Sequence, residues 1–212
     1  MNALNEIRIL ASITSPYIIG YKEAFYDEKS SNLCVILEFA DGGDLTARIK
    51  DHNKKKTRFK EIEVWAAAYQ LLKGLQKMHS SKILHRDIKA ANIFFSNNVA
   101  KLGDLNISKL LKDEMATTQT GTPYYACPEV WSEEPYGAKG DIWSFGCVIY
   151  EMCCFEPPFK GKDFKALFKK IMSGVYMRIP MAYSNNLNYL IGRCLIVDSR
   201  KRATVDELLE ME

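Results

Sequence analysis

The sequence predicts an α+β fold in which a short helix and one β-hairpin precede a mostly helical body. Three stretches carry this reading. Ile62 to His79 repeats apolar residues at helical spacing, with Trp65, Tyr69, Leu72, Leu75 and Met78 on one side. The longest apolar run, around Trp143 to Phe155, is broken by Ser144 and Glu151; it reads as a buried core helix, too short to span a bilayer. Tyr17 to Tyr26 and Asn32 to Phe39 read as two strands about the polar turn from Asp27 to Ser31.

The other elements follow in order. Leu4, Ile7, Leu10 and Ala11 repeat at helical spacing until Ser15-Pro16 stops them. After the hairpin, Asp41-Gly42-Gly43-Asp44 turns the chain into a helix, with Asp44 as its cap. Lys54, Lys55 and Lys56 read as a solvated loop. The stripe with Trp65 and Tyr69 reads as core, and His79 as the plain end of its helix. Short strands are expected around Ile93 and from Val99 to Leu102. Further helices are expected from Asp163 to Ser173, Asn185 to Leu195 and Thr204 to Met211.

Composition narrows the classes. The 212 residues are 47% hydrophobic and 26% charged, with a formal net charge of +3. This is ordinary for a globular protein and does not argue for nucleic acid as a partner. Six cysteines show no CxxC spacing, and the adjacent Cys153 and Cys154 lie in an apolar helical run, so buried free thiols in a reducing compartment are expected. No signal peptide is evident at the start.

The chemistry concentrates in Ile83 to Phe94. Asp87 supplies a carboxylate that can take a proton from an attacking hydroxyl. Lys89 supplies a cation for a moving phosphoryl group, and Asn92 a carbonyl oxygen for a hard metal ion. A second carboxylate, Asp104, follows a short apolar strand. Phosphoryl transfer asks mainly for positioning and for charge near the phosphate oxygens, which this set provides.

His85-Arg86-Asp87 followed by Asn92 resembles the catalytic loop of eukaryotic protein kinases. Asp104-Leu105-Asn106 stands where that family has Asp-Phe-Gly, and Cys127-Pro128-Glu129 where it has Ala-Pro-Glu. Asp141-Ile-Trp-Ser-Phe-Gly146 resembles the start of its buried helix. Ala3 to Ser12, Gly121 to Tyr125 and Pro157 to Gly161 are similar to the NIMA-related serine/threonine kinases.

The resemblance implies a bilobal fold, with residues 1–40 forming what is present of the small lobe and residues 41–212 the large lobe. It implies ATP and Mg2+ as cofactors. Asp87 is then the base, Lys89 the stabilising cation and mark of the serine/threonine branch, and Asn92 and Asp104 the metal ligands. Leu37, Glu38 and Ala40 line the adenine hinge, and Asp44 meets the ribose. Glu6 takes the place of the glutamate that pairs with a strand lysine. Thr118 is the activating phosphosite, phosphorylated by the kinase itself or an upstream one and faced by Arg86 and Lys109. Thr122 belongs to the floor for the protein substrate. His85 is a packing residue in a stack with Tyr21, Leu10 and Leu105 on Asp141, and Glu129 pairs with Arg202. The partner class is a protein with a Ser or Thr acceptor, not nucleic acid or membrane. The location is cytoplasmic, with cytoskeletal, centrosomal or ciliary association suggested by family alone.

No Gly-x-Gly-x-x-Gly occurs, and the family's Val-Ala-Ile-Lys lysine has no counterpart before the first helix. The expectation is therefore a truncated fragment or incomplete gene model of an active kinase, lacking that loop and that lysine. The alternative is a catalytically weak pseudokinase serving as a binding or scaffold module. Asn106 tolerates the left-handed geometry of the Gly it replaces.

Overall fold

The computed structural model describes residues 3–104 and 123–211. Helix α1, Ala3–Ser12, leads into the antiparallel hairpin of β1, Tyr21–Asp27, and β2, Asn32–Leu37. Its turn is closed by Asp27, which accepts the Lys29 N–H at 3.1 Å and the Ser30 hydroxyl at 2.6 Å. The expected strand from Tyr17 starts later. Ile18 is buried and pairs with Leu102 in an isolated bridge, so residues 17–20 lie along the body instead of extending the hairpin.

Asp44 caps α2, Leu45–Lys55, by accepting the Ala47 N–H at 2.8 Å. Lys54 and Lys55 form the last turn of this helix and Lys56, at φ +53°, closes it. The expected loop is thus a helix end, where three cations meet the negative end of the helix dipole.

Helix α3, Glu61–Ser80, buries Val64, Ala67, Ala68, Leu71, Leu72, Leu75 and Met78. Leu72, Leu75 and Met78 of the expected stripe lie in the core and Trp65 packs against it, so only Tyr69 departs from the expectation. Tyr69 is 53% exposed, packed edge-on to Tyr17, and Trp65 is half-buried with its indole N–H on Glu61. The small residues decide which face turns inward: a Cβ on Gly74 would lie 2.9 Å from the Tyr17 carbonyl and 3.0 Å from a Leu102 methyl. Only a face this slim lets α3 approach the strands.

A second antiparallel hairpin joins β3, Ile93–Ser96, to β4, Val99–Leu102. The body is completed by α4, Pro128–Trp131; α5, Ala138–Cys154; α6, Phe164–Ser173; α7, Asn185–Cys194; and α8, Val205–Leu209. Helix α5 is the axis, buried along most of its length. Trp143 stacks on Phe159 with centroids 5.3 Å apart. Arg202, 1% exposed, holds Glu129 through two bonds of 2.8 and 2.9 Å, the expected pair. Its remaining donors are met by the carbonyls of Lys139, Ile196 and Val197, so the buried charges are fully hydrogen-bonded. All six cysteines are free; four are buried as expected, and Cys34 and Cys154 are only half-buried. Among the described residues, no helix is long and apolar enough to cross a membrane.

Candidate active site

The β3–β4 hairpin is the piece about which the candidate residues gather. At one end, the Gly42 N–H donates to the Phe95 carbonyl at 2.8 Å and the Phe95 N–H to the Gly43 carbonyl at 2.9 Å. Asp44 forms a bridge with Phe94, two residues after Asn92. At the other side, Glu38 accepts from Lys101 of β4 and from the Gly20 N–H, the latter at 3.0 Å. Burial would raise the Glu38 carboxyl, but the Lys101 and Gly20 hydrogen bonds outweigh it and hold it below its ordinary range. Ala40 is half-buried, whereas Leu37 is 42% exposed.

The loop from His85 to Asn92 is pinned from beneath by Asp141 at the start of α5. This fully buried carboxylate accepts four hydrogen bonds. The Arg86 N–H (2.9 Å) and the Tyr136 hydroxyl (2.7 Å) reach Oδ1; the His85 N–H (3.0 Å) and His79 Nε2 (2.8 Å) reach Oδ2. Burial alone would raise Asp141, but His79 and His85 with the Tyr136 hydroxyl hold it below its ordinary value. It is a stable anion presenting two acceptors to the loop backbone. Arg86 takes a left-handed φ of +64°, which delivers both N–H groups to that one carboxylate. His79 was expected to be only a helix end and is instead one of these four donors.

His85 is 1% exposed, and burial lowers its pKa below the usual histidine value, so it is neutral. Nε2–H donates to the Gly103 carbonyl at 3.1 Å, and Nδ1 faces the Asp87 N–H at 3.4 Å. Both ring nitrogens are engaged in packing the loop, and neither is open to serve as a base.

Asp87, Lys89 and Asn92 come together above this support. Lys89 Nζ lies 2.9 Å from Asp87 Oδ2. Asn92 Nδ2 donates to the Asp87 carbonyl at 2.8 Å and to Asp87 Oδ2 at 3.2 Å. With Nδ2 committed to Asp87, the amide oxygen is the atom turned away from it. Among the described residues, Asp87 Oδ1 has no partner. The three-residue 3-10 turn from Ala90 to Asn92 sets this spacing. Gly103 is held twice, by the Asn92 carbonyl at 2.9 Å and by His85, and the exposed Asp104 follows it at φ +50°. An amide oxygen and a carboxylate are donor types that suit Mg2+, which takes one or two protein ligands and would fill the rest of its shell from phosphate and water.

Lys109, Thr118 and Thr122, with Leu105 and Asn106, lie outside the described residues, as does the side chain of Glu6. His79, Tyr136 and Lys101 are the supporting residues that sequence reasoning missed. Their partners lie 62, 5 and 63 positions away, and only the Tyr136–Asp141 spacing is local.

The chain is 39% identical, over 97% of its length, to a probable serine/threonine-protein kinase nek2 of Dictyostelium discoideum, covering 50% of that protein. It is 39% identical over 99% of its length to the probable kinase nek3 of the same organism, covering 19% of it. It is 38% identical over 97% to human serine/threonine-protein kinase Nek5, covering 29%. The chain thus spans between a fifth and a half of the length of these relatives. With its residues 1–212 matching the protein kinase domain, the chain belongs to the protein kinase family, and its relatives are NIMA-related serine/threonine kinases.

Proposed function

We propose that the chain transfers the γ-phosphate of ATP to serine and threonine hydroxyls of proteins. Support for this reading comes above all from one arrangement: Asp87, Lys89 and Asn92 are hydrogen-bonded to one another in a loop whose backbone is held by the buried Asp141. Asp87 Oδ1 orients the substrate hydroxyl and accepts its proton, while Oδ2 stays fixed by Lys89 and Asn92. Lys89 then faces the transferring group and offsets its charge. Asn92 Oδ1 and Asp104 hold Mg2+, which when bound neutralises charge on the phosphate oxygens. Leu37, Glu38 and Ala40 receive the adenine and Asp44 the ribose. Residues 1–40 serve as the small lobe and residues 41–212 as the large lobe. Thr118, opposed by Arg86 and Lys109, is the regulatory phosphosite, phosphorylated in cis or by an upstream kinase, and Thr122 lies in the substrate floor. The free thiols support a reducing, cytoplasmic setting.

The test is transfer of radiolabelled phosphate from ATP to myelin basic protein, with nucleotide binding measured separately by calorimetry. Asp87→Asn should lower the rate by about 10²–10⁴-fold and leave nucleotide affinity unchanged. Asp104→Ala and Asn92→Ala should raise the Mg2+ concentration needed for nucleotide binding. An Asp87→Asn protein that keeps the parent rate would overturn the assignment of the base.

A further inference from the structure

A second surface of the body has features that phosphoryl transfer does not use. Trp131, at the end of α4, meets Phe164 and Phe168, one turn apart at the start of α6. The ring centroids are 6.4 and 5.9 Å apart, tilted by 55° and 46°. Helix α6 turns Leu167 and Ile171 inward, so its second apolar stripe faces solvent: Phe164 is 67% and Phe168 36% exposed. Aromatic anchors presented together in this way are what protein interfaces concentrate their binding energy on.

The charge along the α6 segment is one-sided, while on the α4 side the exposed Glu133 and Glu134 follow Trp131. Residues 156 to 170 hold five lysines, 160, 162, 165, 169 and 170, against the two acids Glu156 and Asp163. The difference, +3, equals the net charge of the whole chain. Both acids are occupied. Glu156 pairs with Lys160, and Asp163 caps α6 by accepting the Ala166 N–H at 2.7 Å. Lys162, Lys165, Lys169 and Lys170 are exposed and have no acidic partner among the described residues. Cations left unpaired beside exposed rings complement a ligand that is acidic and carries an apolar side chain. A second copy of this chain is a poor occupant, because it would set lysines against lysines.

We infer that the α4–α6 face docks an acidic, extended segment of a partner protein. One apolar side chain of that segment seats on Trp131, Phe164 and Phe168, and its carboxylates face Lys165 and Lys169. The docking is independent of the phosphoryl-transfer reading, since the two surfaces share none of their proposed residues.

The test is fluorescence anisotropy on the full chain with a labelled twelve-residue peptide of glutamates around a central Phe-Leu pair. A peptide with lysines replacing the glutamates is the control. Lys165→Glu with Lys169→Glu should weaken binding at least about tenfold, and Phe164→Ala several-fold, while thermal melts stay unchanged because all three side chains are exposed. Binding should also weaken steadily from 50 to 300 mM salt, values chosen to bring the Debye length from roughly 14 to 6 Å. Equal binding of the lysine peptide, or an unchanged affinity in the double variant, overturns the inference. So does competition by phosphatidylserine vesicles stronger than by the unlabelled peptide, which would mark a membrane surface. Sedimentation showing a dimer that dissociates in the double variant would mark a self-interface and also overturn it.

Discussion

Helix α5 and the β1–β2 hairpin are elements of similar length that hold their places by opposite means. Most residues of α5 are buried, including polar ones: Asp141 accepts from the segments packed on α5, and the Ser144 hydroxyl reaches the Tyr125 carbonyl and that of Gly140 within α5. No residue of either hairpin strand is fully buried, and Phe25, Tyr26, Leu33, Val35, Ile36 and Leu37 are all exposed. The hairpin is tied to the body along one seam. The Ile19 N–H donates to the Leu102 carbonyl at 2.8 Å, the Leu102 N–H to the Tyr17 carbonyl at 2.9 Å, and the Glu38 N–H to the Gly20 carbonyl at 2.7 Å. An isolated two-stranded hairpin is marginal in water, so this one derives its order from the seam. Two kinds of stability therefore meet at the candidate site. Asp87 and its Asp141 anchor belong to the first kind, and the segment beside Glu38 to the second.

The sharpest way to break the contrast is to remove the centre of the first region. Asp141→Ala leaves two loop N–H groups, a tyrosine hydroxyl and His79 without their acceptor, and breaking a buried charged network of this kind costs about 3–5 kcal/mol. Urea denaturation should show that loss. A loss under about 1 kcal/mol would mean that the loop is held by something other than α5. The Glu129–Arg202 pair gives a finer test. Glu129→Ala strands a buried guanidinium and should also cost about 3–5 kcal/mol. Glu129→Ala combined with Arg202→Met should recover a large part of it, because the stranded charge is gone. If the double variant is no better than the single one, the pair contributes more than the avoidance of an unpaired charge.

Acid should act on the body through His85. Its folded pKa lies below its ordinary value of 6.5, burial being the main cause, so below 6.5 the unfolded chain binds the extra proton. This contribution is complete above 6.5 and is lost as pH falls toward the folded value. The carboxyl of Asp141 is lowered as well, and it adds the same sign at lower pH, below its ordinary 3.8. Glu151 opposes them: burial raises its pKa above 4.5, so its share is lost as pH rises through the folded value. Melting temperature should fall between pH 7 and 5, and His85→Phe should flatten that slope. An unchanged slope would show that other groups carry the dependence.

The smallest effect belongs to the seam. Lys101→Ala removes a partly buried partner of Glu38 and should cost no more than about 1 kcal/mol globally. Hydrogen exchange should nevertheless speed up in Tyr21–Leu37 while α3 and α5 stay protected. Uniform acceleration across the chain would mean that hairpin and body unfold as one unit.

What could be read from the sequence follows the same division between local and distant causes. The cap at Asp44, the turn at Asp27 and the period of α5 are decided within a few residues, and the ordered motifs placed Asp87, Asn92 and Asp104 along the chain. Tyr69 was misjudged because periodicity gives an arc and not its direction; Ala67, Ala68 and Gly74 chose the face by allowing close approach. The three lysines at 54–56 resembled a loop because a charge run has no period, yet the helix dipole favours them at its end. His79 was illegible since nothing near it in sequence points to Asp141. The exposure of Leu37 reflects what packs against β2 and not what β2 is made of.

Asp104 has a consequence for selection. A left-handed backbone at φ +50° disfavours any residue with a Cβ, and its side chain lies in solvent, where it contributes little packing. Glycine there would relieve up to about 1 kcal/mol after allowance for its greater freedom in the unfolded chain. A library screened only for heat resistance should therefore drift to glycine at position 104 and discard a carboxylate proposed to hold the metal. On the metal-holding role proposed for Asp104, stability and turnover pull position 104 in opposite directions, so selecting for one alone works against the other.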